Sequence, residues 1–275
     1  MCGRFSIFVE DDELVSFFGI DFFDADLLEG EGAGARYNLA PGQSARVVYE
    51  RLLADPPAAS PSKSSPSSVE GIRPAGPPSS PDPAEREGAA IRKLRPLRWG
   101  LVPSWAKDPS RPMINARAET VTEKPSFRAA ALRRRCLVPA NGYFEWQAGA
   151  AGKKQPWFLS AGEGDPLMAF AGVYEAWRDP APPADPDRGD DAWLLTFAIL
   201  TRPAPDALGA IHDRSPLVVP RDMFADWLDP ALSDRAEVRG LIEAIPVPDL
   251  APRRVSPRVG NVRNDDPALI EGVRP

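Results

Sequence analysis

The residue with the most reactive combination of groups is Cys2, in the opening Met1-Cys2-Gly3-Arg4. Initiator methionine is removed when a small residue follows, which leaves Cys2 with both a free α-amine and a thiol. Their ordinary pKa values, about 7.7–8.0 and about 8.5, give each a usable nucleophilic fraction near neutrality. A 1,2-aminothiol condenses with an aldehyde in two steps: the amine forms an imine, and the thiol then adds to the imine carbon to close a five-membered thiazolidine. The thiol can instead act as an N-terminal nucleophile with its own amine as base. The plain alternative is an incidental cysteine in a frayed terminus. Two further side chains are suited to moving protons. His212 is the only histidine, and its ordinary pKa lies near neutrality; a structural role is its alternative. Glu145 stands between Phe144 and Trp146 in a strand-like stretch, where burial would raise its carboxyl toward a useful acid or base. A solvent-facing strand glutamate is the competing reading. One histidine and two well-separated cysteines make no closed zinc site, and no paired-histidine motif occurs, so neither a metal nor another cofactor is expected.

The elements that must position these residues follow from pattern and punctuation. Residues 5–9 are β-rich, and Asp11-Asp12-Glu13 opens a short helix that Gly19 closes. Residues 45–49 and 97–105 read as strands, the second ending in a turn. A helix is predicted over 125–135, starting at Pro125. Residues 136–146 read as strand, turn and strand, with Cys136 a small buried hydrophobe. Apolar runs at 156–160, 168–177 and 192–201 supply three more strands. A short helix over 206–211 ends at His212, helices follow at 221–228 and 233–245, and 255–263 is expected to return to the sheet. Many strands with few helices indicate an α+β fold: a single domain, residues 2–270, with a mostly antiparallel, barrel-like β-sheet and peripheral helices. Two stretches interrupt it. Residues 53–90 hold nine prolines and eight serines in 38 positions without apolar periodicity, and read as a disordered insertion in a surface loop. The Pro/Asp-rich 179–191 reads as a lengthened hairpin loop.

Two cysteines in 275 residues form no disulfide framework and point to a reducing compartment. No uninterrupted apolar run approaches the ~20 residues of a membrane span. The net charge of −6 argues against a general polyanion binder, yet residues 91–136 carry twelve Lys and Arg against three Asp and Glu. Such a basic stretch is a candidate phosphate-binding surface or a solvated charged face.

The segments MCGRF, YNLAPGQ, RWGLVPSWAKD, INARAET, RRCLVPANGYFEW, AFAGVYEAW, ILTRPA and IHDRSP occur in an order and spacing that resembles the SOS response-associated peptidase family of abasic-site-processing proteins. The resemblance spans residues 2–220 apart from the two insertions, and continues more weakly into 255–266. It implies that Cys2 crosslinks to the ring-opened aldehyde of an abasic site in single-stranded DNA as a thiazolidine, with a lyase side activity. It also implies that Asn115 hydrogen-bonds around the N-terminal residue and the opened sugar. Glu145 would shuttle protons beside the terminal amine, and His212 would assist the sugar-oxygen and Schiff-base steps. Carried over in the same way, Arg4, Asn38, Arg117 and Arg214 contact phosphates, while Trp99 and Trp146 stack on or wedge against bases. Core packing stays open for either tryptophan. The implied partner is single-stranded DNA containing abasic sites. The protein is expected to be a cytoplasmic monomer, nucleoid-associated when bound to DNA, with no membrane contact. A thiol (auto)peptidase using Cys2 is the alternative, and a noncovalent single-stranded DNA binder a third reading. Gly42 and Ser215 depart from the family's usual Thr and Met.

Overall fold

The computed structural model describes residues 2–23, 34–52, 90–149, 152–162, 166–178 and 193–273. In chain order the strands are β1 (Phe5–Ile7), β2 (Phe22–Phe23), β3 (Arg36–Leu39), β4 (Ser44–Leu52), β5 (Ala90–Trp99), β6 (Asn115–Arg117), β7 (Arg135–Ala140), β8 (Gly142–Ala148), β9 (Lys154–Ala161), β10 (Met168–Arg178), β11 (Trp193–Pro203), β12 (Arg214–Pro216) and β13 (Leu250–Arg254). The helices are α1 (Asp11–Phe18), α2 (Arg128–Arg133), α3 (Asp206–Gly209), α4 (Phe224–Leu228) and α5 (Arg235–Ala244).

Five strands close a barrel. β11 pairs with β10, β10 with β7, β7 with β4 and β4 with β5, all antiparallel. The circle is completed by a short parallel seam between β5 and β11, with Arg98 opposite Thr196 and Trp99 opposite Phe197. A second, antiparallel sheet runs in the order β13-β9-β8-β1-β3. This is the α+β, mostly antiparallel, barrel-like architecture expected. Every residue of β7 is buried, because one face lines the barrel and the other lies under α4, whose Trp227 indole donates to the Cys136 carbonyl at 2.8 Å. That two-sided burial is why the segment reads as a nearly continuous apolar run.

An aromatic cluster fastens the two sheets together. Phe5 of β1 lies 5.1 Å from the Trp99 ring and 6.1 Å from Phe170, both edge to face, and Trp99 stacks 6.3 Å from Phe197. At the corner where β7 leaves the barrel and β8 enters the second sheet, Asn141 pins β1: its backbone N–H donates to Ser6 O and its Oδ1 accepts from Phe8 N–H, both at 2.8 Å.

Two boundaries differ from expectation. The helix expected over 125–135 covers only Arg128–Arg133. Arg135 is drawn inward instead, donating to the carbonyls of Ala131, Leu132, Trp227 and Asp229, and so begins β7. At the C-terminus the added strand is β13, ahead of the expected 255–263. Pro252 is tolerated there because β13 lies at the sheet edge. Beyond it, Pro257–Gly260 forms a 3-10 turn capped by Ser256.

Both interruptions lie outside the described residues, except that Ala90 already belongs to β5. The described ends are informative: Leu52 is the register partner of Ala90, and Arg178 that of Trp193. Each stretch therefore leaves and re-enters neighbouring strands of one sheet. Replacing 53–89 by a two-residue Asn-Gly turn is expected to give a protein that melts cooperatively within a few degrees of the parent. Loss of cooperative melting in that variant would refute a dispensable insertion.

Candidate functional site

The two sheets converge on the N-terminus. Cys2, fully buried, precedes β1, and its carbonyl accepts a 2.8 Å hydrogen bond from Asn115 Nδ2. Asn115 opens β6, and the parallel pairing of β6 with β11, Asn115 opposite Ile199, hangs it beside the barrel. Its Oδ1 is buried with no hydrogen-bond partner among the described residues. The Arg4 carbonyl accepts the Phe144 N–H at 2.9 Å, so the N-terminal segment runs along β8, and Glu145 comes next. Glu145 is only 4% exposed.

His212 sits in the turn between α3 and β12. Its Nε2 lies 3.9 Å from Glu145 Oε2. Its Nδ1 accepts the Arg214 N–H at 3.0 Å, which leaves the ring proton of the neutral form on Nε2, the nitrogen facing Glu145. Asp213 Oδ1 is 2.9 Å from the same Nδ1, so a second ring proton would find a carboxylate in place of the amide. His212 can thus hold one proton toward Glu145 and accept another at its back.

Burial pushes the Cys2 thiol well above its ordinary value, and the Glu145 charge adds to the effect. Burial likewise raises Glu145, with His212 among the groups opposing it. Tyr143, two residues before Glu145 and therefore on the same face of β8, is also buried. Its phenol is raised by burial and then by the charges of Cys2 and Glu145. Among the described residues no group of three or more His, Cys, Asp and Glu could hold a metal ion.

A family model described as SOS response associated peptidase (SRAP) matches residues 1–262. The chain belongs to the SRAP family. It is 32% identical over 273 residues to the abasic site processing protein YoqW of Bacillus subtilis, covering 98% of this chain and 99% of that protein. It is 33% identical over 203 residues to the abasic site processing protein HMCES of Gallus gallus, covering 65% of this chain and 57% of that one. A solved structure from Bacteroides thetaiotaomicron shares the fold with a TM-score of 0.71 at 20% identity, covering 99% of this chain and all of the other.

Within this SRAP fold the six residues expected at DNA scatter. Arg4 and Trp146 stay together beside Cys2, the guanidinium 5.9 Å from the indole centroid. Arg117 is exposed at the end of β6. Arg214 is turned inward, forked onto Glu119 at 2.5 and 2.9 Å and bonded to the Thr201 carbonyl. One expectation needs correcting, and one alternative left open is decided. Asn38 is completely buried, with Nδ2 shared among the carbonyls of Val259, Asn261 and Asn264, so it has no surface to offer a phosphate. Trp99 is also completely buried, its indole donating to the Ile114 carbonyl at 2.9 Å; it takes the packing alternative. The basic stretch is likewise not one surface, because Arg92 pairs with Glu50, Arg134 with Glu175, and Arg135 is buried.

Sequence reasoning passed over Trp105, which is 66% exposed. Its loop is closed at the neck by paired hydrogen bonds between Leu101 and Met113, held by the Trp177 indole at the Ala106 carbonyl, and runs on into Asn115. The clue was its setting among Pro, Ser, Lys and Asp, which is loop rather than core composition. Tyr143 could have been found from its two-residue spacing to Glu145. Of the two departures, Gly42 turns at φ +87°, where a threonine would be strained. The buried Ser215 hydroxyl has no partner among the described residues.

Two outcomes follow from burial. Trp99→Ala is expected to cost about 3–5 kcal/mol of stability, whereas Trp105→Ala leaves the melting temperature unchanged; denaturant titration of both checks this. Glu145 has a folded-state pKa above its unfolded value, so the folded state binds the extra proton and this group's contribution falls as pH rises between the two values. Glu145→Gln should therefore melt above the parent near neutral pH, and the gap should vanish below the ordinary carboxylate value of about 4.3. A gap independent of pH would contradict a buried, raised carboxyl.

Proposed function

We propose that this SRAP protein captures abasic sites in single-stranded DNA by forming a thiazolidine between Cys2, exposed by loss of Met1, and the ring-opened C1′ aldehyde. The observation carrying this reading is the convergence of Asn115, Glu145 and His212 on the only residue that can supply an amine and a thiol together. The names of the relatives, abasic site processing proteins, support the substrate class.

The Cys2 amine attacks the aldehyde carbon to give a carbinolamine. Glu145, raised from its ordinary value by burial, passes a proton to the departing hydroxyl, and water leaves behind an iminium ion. The thiol then adds to the iminium carbon and returns its proton to the Glu145 carboxylate. One water is lost overall and Glu145 ends as it began. Held on the same residue, the thiol reacts intramolecularly, where effective molarities make even a mostly protonated nucleophile competent. His212 holds its Nε2 proton where it can serve the sugar oxygen, and Asn115 fixes the Cys2 carbonyl so that the amine keeps one orientation.

A thiol peptidase would need a lowered thiol pKa at Cys2, whereas in the chain that retains Met1 burial raises it. Arg4, Arg117 and Trp146 are suited to the strand next to the lesion, and Trp105 takes the stacking role earlier expected of Trp99.

The test uses protein whose N-terminus is verified as Cys2 by mass spectrometry, mixed with single-stranded DNA carrying one abasic site and run on a denaturing gel. A heat-stable shifted band is expected, absent with Cys2→Ala. No band from correctly processed wild-type protein would sink the proposal. Glu145→Gln is expected to slow adduct formation by about 10²–10⁴-fold. Trp105→Ala should weaken DNA binding by about 1–3 kcal/mol. Cys2→Ala, which keeps a terminal amine, should retain some strand cleavage through β-elimination from the imine.

A further inference from the structure

The segment after β13 has no part in the chemistry above, yet it is built onto the residues that carry Cys2. Among the described residues β3 is the edge of its sheet, paired on one side, with β1. Asp265 covers it: Oδ1 accepts the backbone N–H groups of Tyr37 at 2.5 Å and Asn38 at 2.9 Å, and Oδ2 accepts the Arg36 side-chain Nε–H at 2.6 Å. One carboxylate thus caps three successive residues of an edge strand. Asn38 continues the connection inward. Its Nδ2 lies 3.2, 3.1 and 2.8 Å from the carbonyls of Val259, Asn261 and Asn264, and its Oδ1 accepts Arg4 Nη1 at 2.8 Å. The same Arg4 nitrogen donates to Val259 O at 2.8 Å. Arg4 is two residues from Cys2.

The strap also has its own reasons to keep its shape. Asn264 Nδ2 donates to Arg258 O at 2.7 Å, Arg258 pairs with Asp266 at 2.8 Å, and Ser256 caps the turn between them. Val255, Val259 and Leu269 form a small separate core with Phe144 and Phe158. Phe144 is the residue before Glu145, with its side chain on the opposite face of β8. The strap therefore braces both halves of the site, the N-terminal arm through Arg4 and the Glu145 strand from behind.

We infer that Asp265 and Asn38 are positioning residues: they lock the 255–266 strap onto β3 and Arg4, and thereby hold Cys2 in register with Asn115 and Glu145. Asp265 lies beyond the residues the family model matches, and neither residue touches the reacting atoms. The inference concerns the arm's position, and it rests on the proposed function only for its kinetic consequence.

The test compares full-length Asp265→Ala, Asp265→Asn and the parent by two readouts. The first needs no DNA: the rate at which iodoacetamide alkylates Cys2, followed by peptide mass spectrometry, with fully buried Cys136 as internal control. Release of the arm is expected to raise the Cys2 rate about tenfold in Asp265→Ala, leaving Cys136 unreactive. The second is adduct formation with abasic single-stranded DNA. The maximal rate should fall at least about tenfold, since small misplacements of reacting groups are costly. Asp265→Asn keeps an oxygen acceptor for both amides and should restore both readouts to near the parent. Unchanged alkylation with an unchanged adduct rate overturns the inference, as does alkylation of Cys136 in step with Cys2, which would mean general unfolding. If Asp265→Ala does not fold, Asn264→Ala, which removes only the strap's internal bond to Arg258, should raise Cys2 alkylation in the same direction, and no rise overturns the inference. A parent that forms no adduct sinks the proposed function, and alkylation alone then decides the strap.

Discussion

The wedge of Phe5 against Trp99 and Phe170 is the contact on which the candidate site depends. β1 is three residues long and could not stay ordered through its own hydrogen bonds. Burying one phenylalanine side chain is worth about 1.5–3 kcal/mol, and here that burial occurs three residues from Cys2. The barrel seam presents Trp99 at this point because β5 and β11 pair only through Arg98–Thr196 and Phe197–Trp99. Farther along β11, β6 takes over as the parallel neighbour and brings Asn115. A single stretch of β11 therefore closes the barrel, supplies the aromatic floor under β1 and places the amide that grips the Cys2 carbonyl.

That arrangement puts a carboxyl, a thiol and a phenol into one poorly solvated space. Each is raised by burial, and Glu145 raises Cys2 and Tyr143 further. A site needing a permanent thiolate would be badly served. A site that passes one proton out and takes one back is well served, because a carboxyl displaced upward from about 4.3 comes closer to neutrality and exchanges protons at little cost. Pairing with His212 at 3.9 Å opposes the burial effect without abolishing it.

Much of this was legible in the sequence, for identifiable reasons. The fold class came from many short apolar runs, whereas Cys2, His212 and Glu145 each had an innocent reading when taken alone, and it was the resemblance of eight ordered segments to the SRAP family that singled them out as candidates. What sequence could not reveal was side-chain direction. Trp99 and Trp105 stand six residues apart in one motif, yet one is fully buried and the other 66% exposed. Strand periodicity stops at Trp99, and beyond it only the turn geometry decides. Asn38 was misread because an asparagine that satisfies a distant loop looks the same in sequence as one that meets a phosphate. Its partners lie more than 220 residues away. Arg214 was obscured in the same way by Glu119, 95 residues earlier. The basic stretch dissolved because strands turn alternate cations to opposite faces, some of them inward.

Burial of Cys2 also bears on how such a site would choose its target. A nucleophile at the surface would meet any aldehyde in solution, whereas one with no exposed area can react only with a group that is held against it. On the proposed reading, Arg117 contacts the strand's phosphates, and only a sugar without its base offers an aldehyde on arrival. An intact nucleotide fails chemically: its C1′ carries no carbonyl for the amine. Selectivity then needs no hydrogen-bond readout of any base. The same logic explains the investment in bracing. A reaction whose specificity rests on fit and timing requires the amine and thiol to be in place before the sugar arrives.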